Sequence, residues 1–436
     1  MLNSNFGQLG SPAALSDAQR LNASCFCVTL DRNALRNALD SEIGSVGFAD
    51  ELARSHPSLF SHVPLFIDPR AMAEMAGVVA AVEAAVRLPA YREAALAWAA
   101  PIAIPDWGPA GALMGYDFHL TPDGAQLIEI NTNAGGAFLN SVLADSQQAC
   151  CDDPQASTLL PRRDFGAAVA AMFIEEWRRQ RGEGRPPTIA IVDDAPEDQY
   201  LFPEFQLAKS VLEEHGFVAV IADATTLVSG ATGLTFGGQP IDLVYNRLVD
   251  FGFDEPRHAA LRNAYSLGSV VVTPNPHIHA LFADKRNLTI LSDADQVKRW
   301  GLESLHRDAL RAAVPLTVTV TSDNSDALWN DRRKLFFKPA RGHGSKAAYR
   351  GDKLTRKVWS EILDTEYVAQ LYAPPSERMV TCDGIPTILK VDIRLYTYEG
   401  AVMLTAARLY RGQTTNMRTP GGGFAPVLEL AHSPRP

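Results

Sequence analysis

The stretch Gly115-Tyr-Asp-Phe-His-Leu-Thr-Pro-Asp-Gly-Ala-Gln-Leu-Ile-Glu-Ile-Asn131 reads as two short strands around a turn. Pro122-Asp123-Gly124 suits a three-residue hairpin loop, with Gly124 in the left-handed position that other residues avoid. Such a loop pairs Thr121 with Ala125, Phe118 with Ile128 and Tyr116 with Ile130, and sets Asp117 directly opposite Glu129. Asn131 lies two residues on and shares the Glu129 face. Like charges facing each other across a strand pair destabilise it, and a divalent cation between them reverses the sign. Two carboxylates and an amide oxygen are hard ligands of the kind magnesium takes beside nucleotide phosphates. Read alone, the pattern fits a solvated hairpin face equally well.

Two later segments carry the complementary charge. Leu335-Phe-Phe-Lys338 is a strand that delivers a lysine to a glycine-containing loop with Arg341, Gly342, His343, Gly344, Ser345 and Lys346. Backbone amides in such a loop approach phosphate oxygens closely while lysines neutralise them. The spacing is not that of a P-loop, and an ordinary hairpin turn explains the loop in isolation. Further on, Tyr367 to Tyr372 is a short apolar strand. Ile388 to Tyr398 then alternates, with Lys390, Asp392 and Arg394 on one face and Leu389, Val391, Ile393 and Leu395 on the other. A returning strand, Val402 to Tyr410, carries Arg408, and Asn416 to Phe424 is glycine-rich. Arg394, Arg408 and Arg418 near a glycine run point to an anion clamp.

The rest of the chain sets the frame. Its 436 residues exceed one ordinary core. A 46% apolar and 21% charged composition is that of a soluble globular protein, and a net charge of -10 argues against a nucleic-acid partner. Five scattered cysteines and no secretory leader point to a cytoplasmic setting, and no apolar run is long enough for a membrane.

Residues 1–110 read as a helical N-terminal region. The α/β alternation from Thr188 through Thr273 predicts a small doubly wound domain over 186–284, separated from the hairpin part (111–185) by the Gly182–Pro187 linker. Residues 285–436 form a strand-rich remainder. Three features read as structural: His277 and His279 as a loop beside Pro274 and Pro276, Cys150-Cys151 as a packing pair, and Tyr200 as packing.

In order and content these segments resemble the ATP-grasp superfamily. The Ile128-Glu-Ile-Asn-Thr132 block with Gly135-Gly136, the Leu243-Val-Tyr-Asn-Arg247 strand, Asp284-Lys-Arg286, Lys338-Pro339 and the Arg408 to Gly423 segment are similar to parts of eukaryotic-type glutathione synthetase. The metal hairpin precedes the lysine loop, the circularly permuted order of that enzyme. The resemblance implies a circularly permuted ATP-grasp α/β fold. It also implies ATP with magnesium, the metal at Asp117, Glu129 and Asn131.

ATP phosphates would lie near Lys285, Lys338 and Gly342, His343, Gly344 and Ser345, with adenine at Gln370, Leu371 and Tyr372. Substrate would lie at Arg247, Asn416, Gly421, Gly422 and Gly423, with Arg394 and Arg408 acting on the reacting group. The implied activity is carboxylate–amine ligation of small molecules, with phosphotransfer or a degenerate nucleotide-binding partner as alternatives. A homodimer is left open. Two departures stand out. No acid lies between Lys338 and Asp352, where the synthetase carries a metal-binding glutamate, and its Arg-Ser-Asp is Gly115-Tyr-Asp117 here.

Overall fold

The computed structural model describes residues 16–147, 157–158, 162–230, 233–342 and 347–430. His343, Gly344, Ser345, Lys346 and the Cys150-Cys151 pair lie outside them. No helix among the described residues is long and apolar enough to cross a membrane.

An eight-stranded sheet built from both ends of the chain forms the centre. Its main path runs Leu65–Ile67, Gly423–Glu429, Ala401–Tyr410, Ile385–Tyr398, Met114–Thr121 and Gly124–Asn131. Ser376–Cys382 extends Ile385–Tyr398, and Ser157–Thr158 extends Gly423–Glu429. The alternation expected from Ile388 to Tyr398 falls within the strand Ile385–Tyr398, where Leu389, Val391, Ile393 and Leu395 are fully buried. They pack with Tyr116, Phe118, Leu127 and Ile130 into one core, which the helices Pro69–Val86 and Ser304–Ala313 cover. The opposite face of the same strands carries Lys390, Asp392 and Arg394.

The hairpin closes more tightly than its sequence predicts. Thr121 pairs with Gly124 across a two-residue Pro122-Asp123 loop, and Phe118 pairs with Leu127 rather than Ile128. Gly124 takes φ +108°. Local bonds favour the short loop: the Thr121 hydroxyl donates to the Gly124 carbonyl at 3.1 Å and accepts from the Asp123 amide at 3.2 Å. One bulged residue, Ile128, then restores the offset, so Asp117 still faces Glu129 and Tyr116 still faces Ile130.

A second sheet is parallel, in the order Val271–Thr273, Leu243–Asn246, Thr188–Asp193, Val218–Asp223. The Gly237-Gly238 turn joins Gly233–Phe236 to Gln239–Ile241 in a separate three-stranded meander, not to the Leu243–Asn246 strand. His277 and His279 lie in a helix, Pro276–Phe282, which Asn275 caps by accepting the Ile278 amide at 2.9 Å. A third sheet, antiparallel, runs Thr317–Thr319, Tyr367–Leu371, Leu335–Pro339, Tyr349–Arg350.

α-Helices before residue 110 lie at Asp17–Ser24, Arg32–Ile43, Phe48–Ser55, Pro69–Val86 and Pro89–Leu96. The same stretch also lends the strand Leu65–Ile67 to the central sheet. Its long helix buries Glu83 beneath the sheet, 3.4 Å from the Tyr116 hydroxyl, and burial pushes this acid up to about 7. Between the ordinary carboxylate pKa and 7 the folded state holds a proton that the unfolded chain has lost, so stability falls as pH rises through that window. Glu83→Gln is expected to remove this slope and to gain roughly 3 kcal/mol at pH 8, measured by urea unfolding at pH 5 and pH 8.

Candidate functional site

The three sheets meet around a cavity of about 760 Å³. Its floor is the polar face of the central sheet and its roof is the antiparallel sheet with Lys338. The far wall is the loops at the C-terminal edge of the parallel sheet, together with the segment 413–418. Among the described residues, seven cationic side chains (Lys285, Lys338, Lys390, Arg247, Arg394, Arg408 and Arg418) line it, against four carboxylates, Asp117, Glu129, Asp193 and Asp392. In a chain of net charge -10 that local excess of positive charge selects anions.

Register builds the floor. Asp117 faces Glu129 on one side and Arg394 on the other, and Asp392 faces Arg408 one strand further on. Arg394 grips Asp117 with two parallel bonds, Nε to Oδ1 at 2.6 Å and Nη2 to Oδ2 at 2.7 Å. Arg408 bridges the two acids, donating from Nη2 to Asp117 Oδ2 at 2.7 Å and from Nε to Asp392 Oδ1 at 2.6 Å. Thr415 donates to the other Asp392 oxygen. Burial alone would raise Asp117, but the two guanidiniums outweigh it and hold the carboxyl far below the usual range.

Gly115 makes the approach possible, since a Cβ there would lie 3.0 Å from Arg394 Nε and 2.6 Å from the Ala134 methyl. Asn131 completes the floor. Its Nδ2 donates to Asp117 Oδ2 at 3.1 Å and to Glu129 Oε1 at 3.2 Å. Two carboxylates fix the amide's orientation, because they only accept. The amide oxygen of Asn131 is thereby set as an acceptor that could take a cation. Asp117, with four donors on its two oxygens, is already neutralised.

At the end beneath the antiparallel sheet, the bulge at Ile128 takes this residue out of the ladder, and its carbonyl accepts from Lys338 Nζ at 2.6 Å. The same ammonium donates to Gln370 Oε1 at 2.8 Å. Burial and nearby Lys285 outweigh the attraction of Glu129 and Asp117 and lower Lys338 to about 8. Lys285 donates to the Gly342 carbonyl at 2.9 Å, which ties it to the start of the glycine loop.

The Leu371 and Tyr372 amides are committed to Leu316 and Lys334 carbonyls. Gln370 Nε2 is a buried donor with no partner among the described residues. Phe336 and Tyr372 stack beside it. His119 donates from Nδ1 to the Ala373 carbonyl at 2.7 Å, and burial lowers its pKa, so at neutral pH Nε2 remains an acceptor.

At the other end Arg247 reaches the cavity from the parallel sheet, with Nη2 on the Asn133 carbonyl at 2.8 Å and Nε unpartnered among the described residues. Asp193 lies near it, pushed up to about 6 by burial. Glu204 accepts the Gly136, Phe138 and Leu139 amides, which fixes the loop carrying Asn133 and Gly135. Tyr200 lines the cavity, donates to the Met417 carbonyl at 2.9 Å and lies under Arg418.

Of the residues expected here, Asp117, Glu129, Asn131, Arg247, Lys285, Lys338, Gly342, Gln370, Leu371, Tyr372, Arg394, Arg408 and Asn416 line this one cavity. Gly421, Gly422 and Gly423 do not. They let the backbone pass close to Cys382 and to the Leu409 and Leu59 carbonyls. Asn416 spends its amide on Arg411, Arg418 and Thr419. The sequence reading missed His119, Asp193, Gln199 and Tyr200, and it left Lys390 and Asp392 unassigned although they alternate with Arg394 on one strand.

No family model and no curated protein matches this sequence. Among solved structures, it is similar to a glutathione synthetase-like effector from Globodera pallida in apoform, at 13% identity and TM-score 0.54. That match covers 93% of this chain and 100% of the effector. A putative gamma-glutamylcysteine synthetase from Methylobacillus flagellatus matches at 9% identity and TM-score 0.46 over 79% of this chain and 85% of its own. The ATP-grasp ligase PsnB, complexed with minimal precursor, Mg and ADP, matches at 15% identity and TM-score 0.28 over 56% of this chain and 88% of its own. The chain has the fold of that glutathione synthetase-like effector.

Proposed function

We propose that this chain is an ATP- and magnesium-dependent ligase that joins a small-molecule carboxylate to an amine through an acyl phosphate. The observation that carries the reading is the single cavity in which Lys338 and Lys285 face Glu129 and Asn131 across a floor set with Arg394 and Arg408. The Glu129 carboxylate and the Asn131 amide oxygen would hold the magnesium, the number of protein ligands this ion takes beside nucleotide phosphates. Bound there, it would supply further neutralisation of phosphate charge.

Lys338 and Lys285 draw charge from the terminal phosphate as the substrate carboxylate attacks it. The orphan Gln370 Nε2 and the neighbouring aromatic pair suit a nucleobase. Arg394 and Arg408, held in place by Asp117 and Asp392, steady the acyl phosphate and the oxyanion formed when the amine displaces phosphate. Arg247 and Asp193 at the far end suit a substrate that carries both an acid and an amine. No side-chain nucleophile takes part. The permuted segment order, the unit boundaries given above and a cytoplasmic setting belong to the same reading.

One observation favours a second reading, a nucleotide-binding partner without turnover. No acid lies between Lys338 and Asp352, and Asp352 is paired with Arg350 at 3.2 Å. Phosphate release separates the possibilities. A ligase releases phosphate from ATP only with both an acid and an amine present, a phosphotransferase needs a single acceptor, and a degenerate partner binds ATP and releases none.

A further inference from the structure

His258 is fully buried, and each of its ring nitrogens faces a carboxylate. Nε2 lies 2.9 Å from Asp194 Oδ1 and Nδ1 lies 2.7 Å from Asp250 Oδ2. An ionised carboxylate only accepts, so both contacts are hydrogen bonds only when the ring carries both protons. Each acid has a further partner. Arg257 Nη2 lies 3.3 Å from Asp194 Oδ2, and the Glu255 amide donates to Asp250 Oδ2 at 2.8 Å. Among the described residues, Asp193 and Arg257 also carry charge near the ring, and beside Arg257 lie Asp223 and Glu255, the latter 2.5 Å from it.

The two acids belong to different loops of the site. Asp194 follows cavity-lining Asp193 at the end of the Thr188–Asp193 strand, and Gln199 and Tyr200 come just after it. Asp250 follows cavity-lining Arg247 and Val249 at the end of the Leu243–Asn246 strand. We infer that His258 is a positioning residue, an imidazolium that staples these two loops together and so sets the spacing of Asp193 and Arg247 at the substrate end of the cavity. Loss of one proton turns one of the two bonds into a lone pair facing a carboxylate, and the loops part. Burial by itself would lower the His258 pKa, but the two carboxylate bonds outweigh it and raise it above the ordinary value. The staple is therefore complete below the ordinary histidine pKa and is lost as pH rises through the raised one.

The test uses the full chain without nucleotide or substrate, so its failure and that of the ligase reading are independent. Nitrogen-15 spectra of histidine-labelled protein should show one ring that keeps both nitrogens protonated above the ordinary histidine pKa, a signal missing from His258→Gln. Hydrogen exchange, corrected for its intrinsic pH dependence, should show protection in 193–200 and 247–255 falling together, by about tenfold, as that ring titrates. In Asp250→Asn the new amide can donate to Nδ1, so a neutral ring satisfies both neighbours. Its ring should titrate lower while the two loops stay protected through that titration. A His258 that titrates at or below the ordinary histidine pKa, loop protection indifferent to its titration, or an unshifted titration in Asp250→Asn would overturn the inference.

Discussion

Asp117→Ala is expected to destabilise the protein by about 3–5 kcal/mol, because it strands two buried guanidiniums that lose their shared counter-ion. The wild-type contribution follows from the depressed carboxyl. It is complete above the ordinary aspartate pKa and fades as pH falls below it. Asp117→Asn keeps the shape and removes the charge, so it isolates the ionic part. Denaturant unfolding at pH 7 and pH 3 reads both effects, and the gap between wild type and Asp117→Asn should narrow at the lower pH.

A magnesium titration of the ATP complex then separates Asp117 from the cation site. Glu129→Gln removes a ligand and should weaken magnesium at least tenfold, whereas Asp117→Asn, which acts only through the Asn131 amide it orients, should weaken it less. Comparable losses in the two variants would put Asp117 among the metal ligands instead.

Lys338→Met should lower ATP affinity by about 100-fold, from the loss of one buried charge-assisted contact to phosphate. Relief of the buried charge favours the variant by up to about 3 kcal/mol at pH 7. Against that, the Ile128 and Gln370 acceptors left without this donor cost about 1–3 kcal/mol each, so the fold should be about as stable as before. A lysine held near 8 binds its proton less tightly in the folded state than in the unfolded chain, so wild-type stability rises as pH climbs from about 8 towards the ordinary lysine pKa. The contrast between affinity and stability matters. Calorimetric titration with ATP and thermal unfolding of the same sample distinguish a lost ligand contact from a damaged protein. A variant that loses stability and affinity together would remove Lys338 from its assigned role.

The parts of the site legible in the sequence are those that strict alternation fixes. Lys390, Asp392 and Arg394 fall on one face because Leu389, Val391, Ile393 and Leu395 must fall on the other. The Asp117–Glu129 pairing was reached through two compensating differences, a loop one residue shorter and a bulge one residue longer than a plain hairpin. Nothing local announces that bulge, because the group that uses it, Lys338, lies some two hundred residues away.

The same distance hid what neutralises Asp117. An acid facing an acid invites a cation, and only the packing of Ile385–Tyr398 against Met114–Thr121 reveals that arginines supply it. The glycines from 421 to 423 look like a ligand loop, but they serve backbone contacts with Leu59 and Leu409. His119 was invisible for another reason: a histidine two residues from an acid carries no signal until its acceptor, the Ala373 carbonyl, is brought to it.

Crystals soaked with manganese and a non-hydrolysable ATP analogue would test the central claim most directly. Anomalous density for manganese should fall within coordination distance of Glu129 and the Asn131 amide oxygen, with triphosphate reaching Lys338 and Lys285 and the base beside Gln370. Manganese bound elsewhere, or a nucleotide lodged away from Lys338, would contradict it.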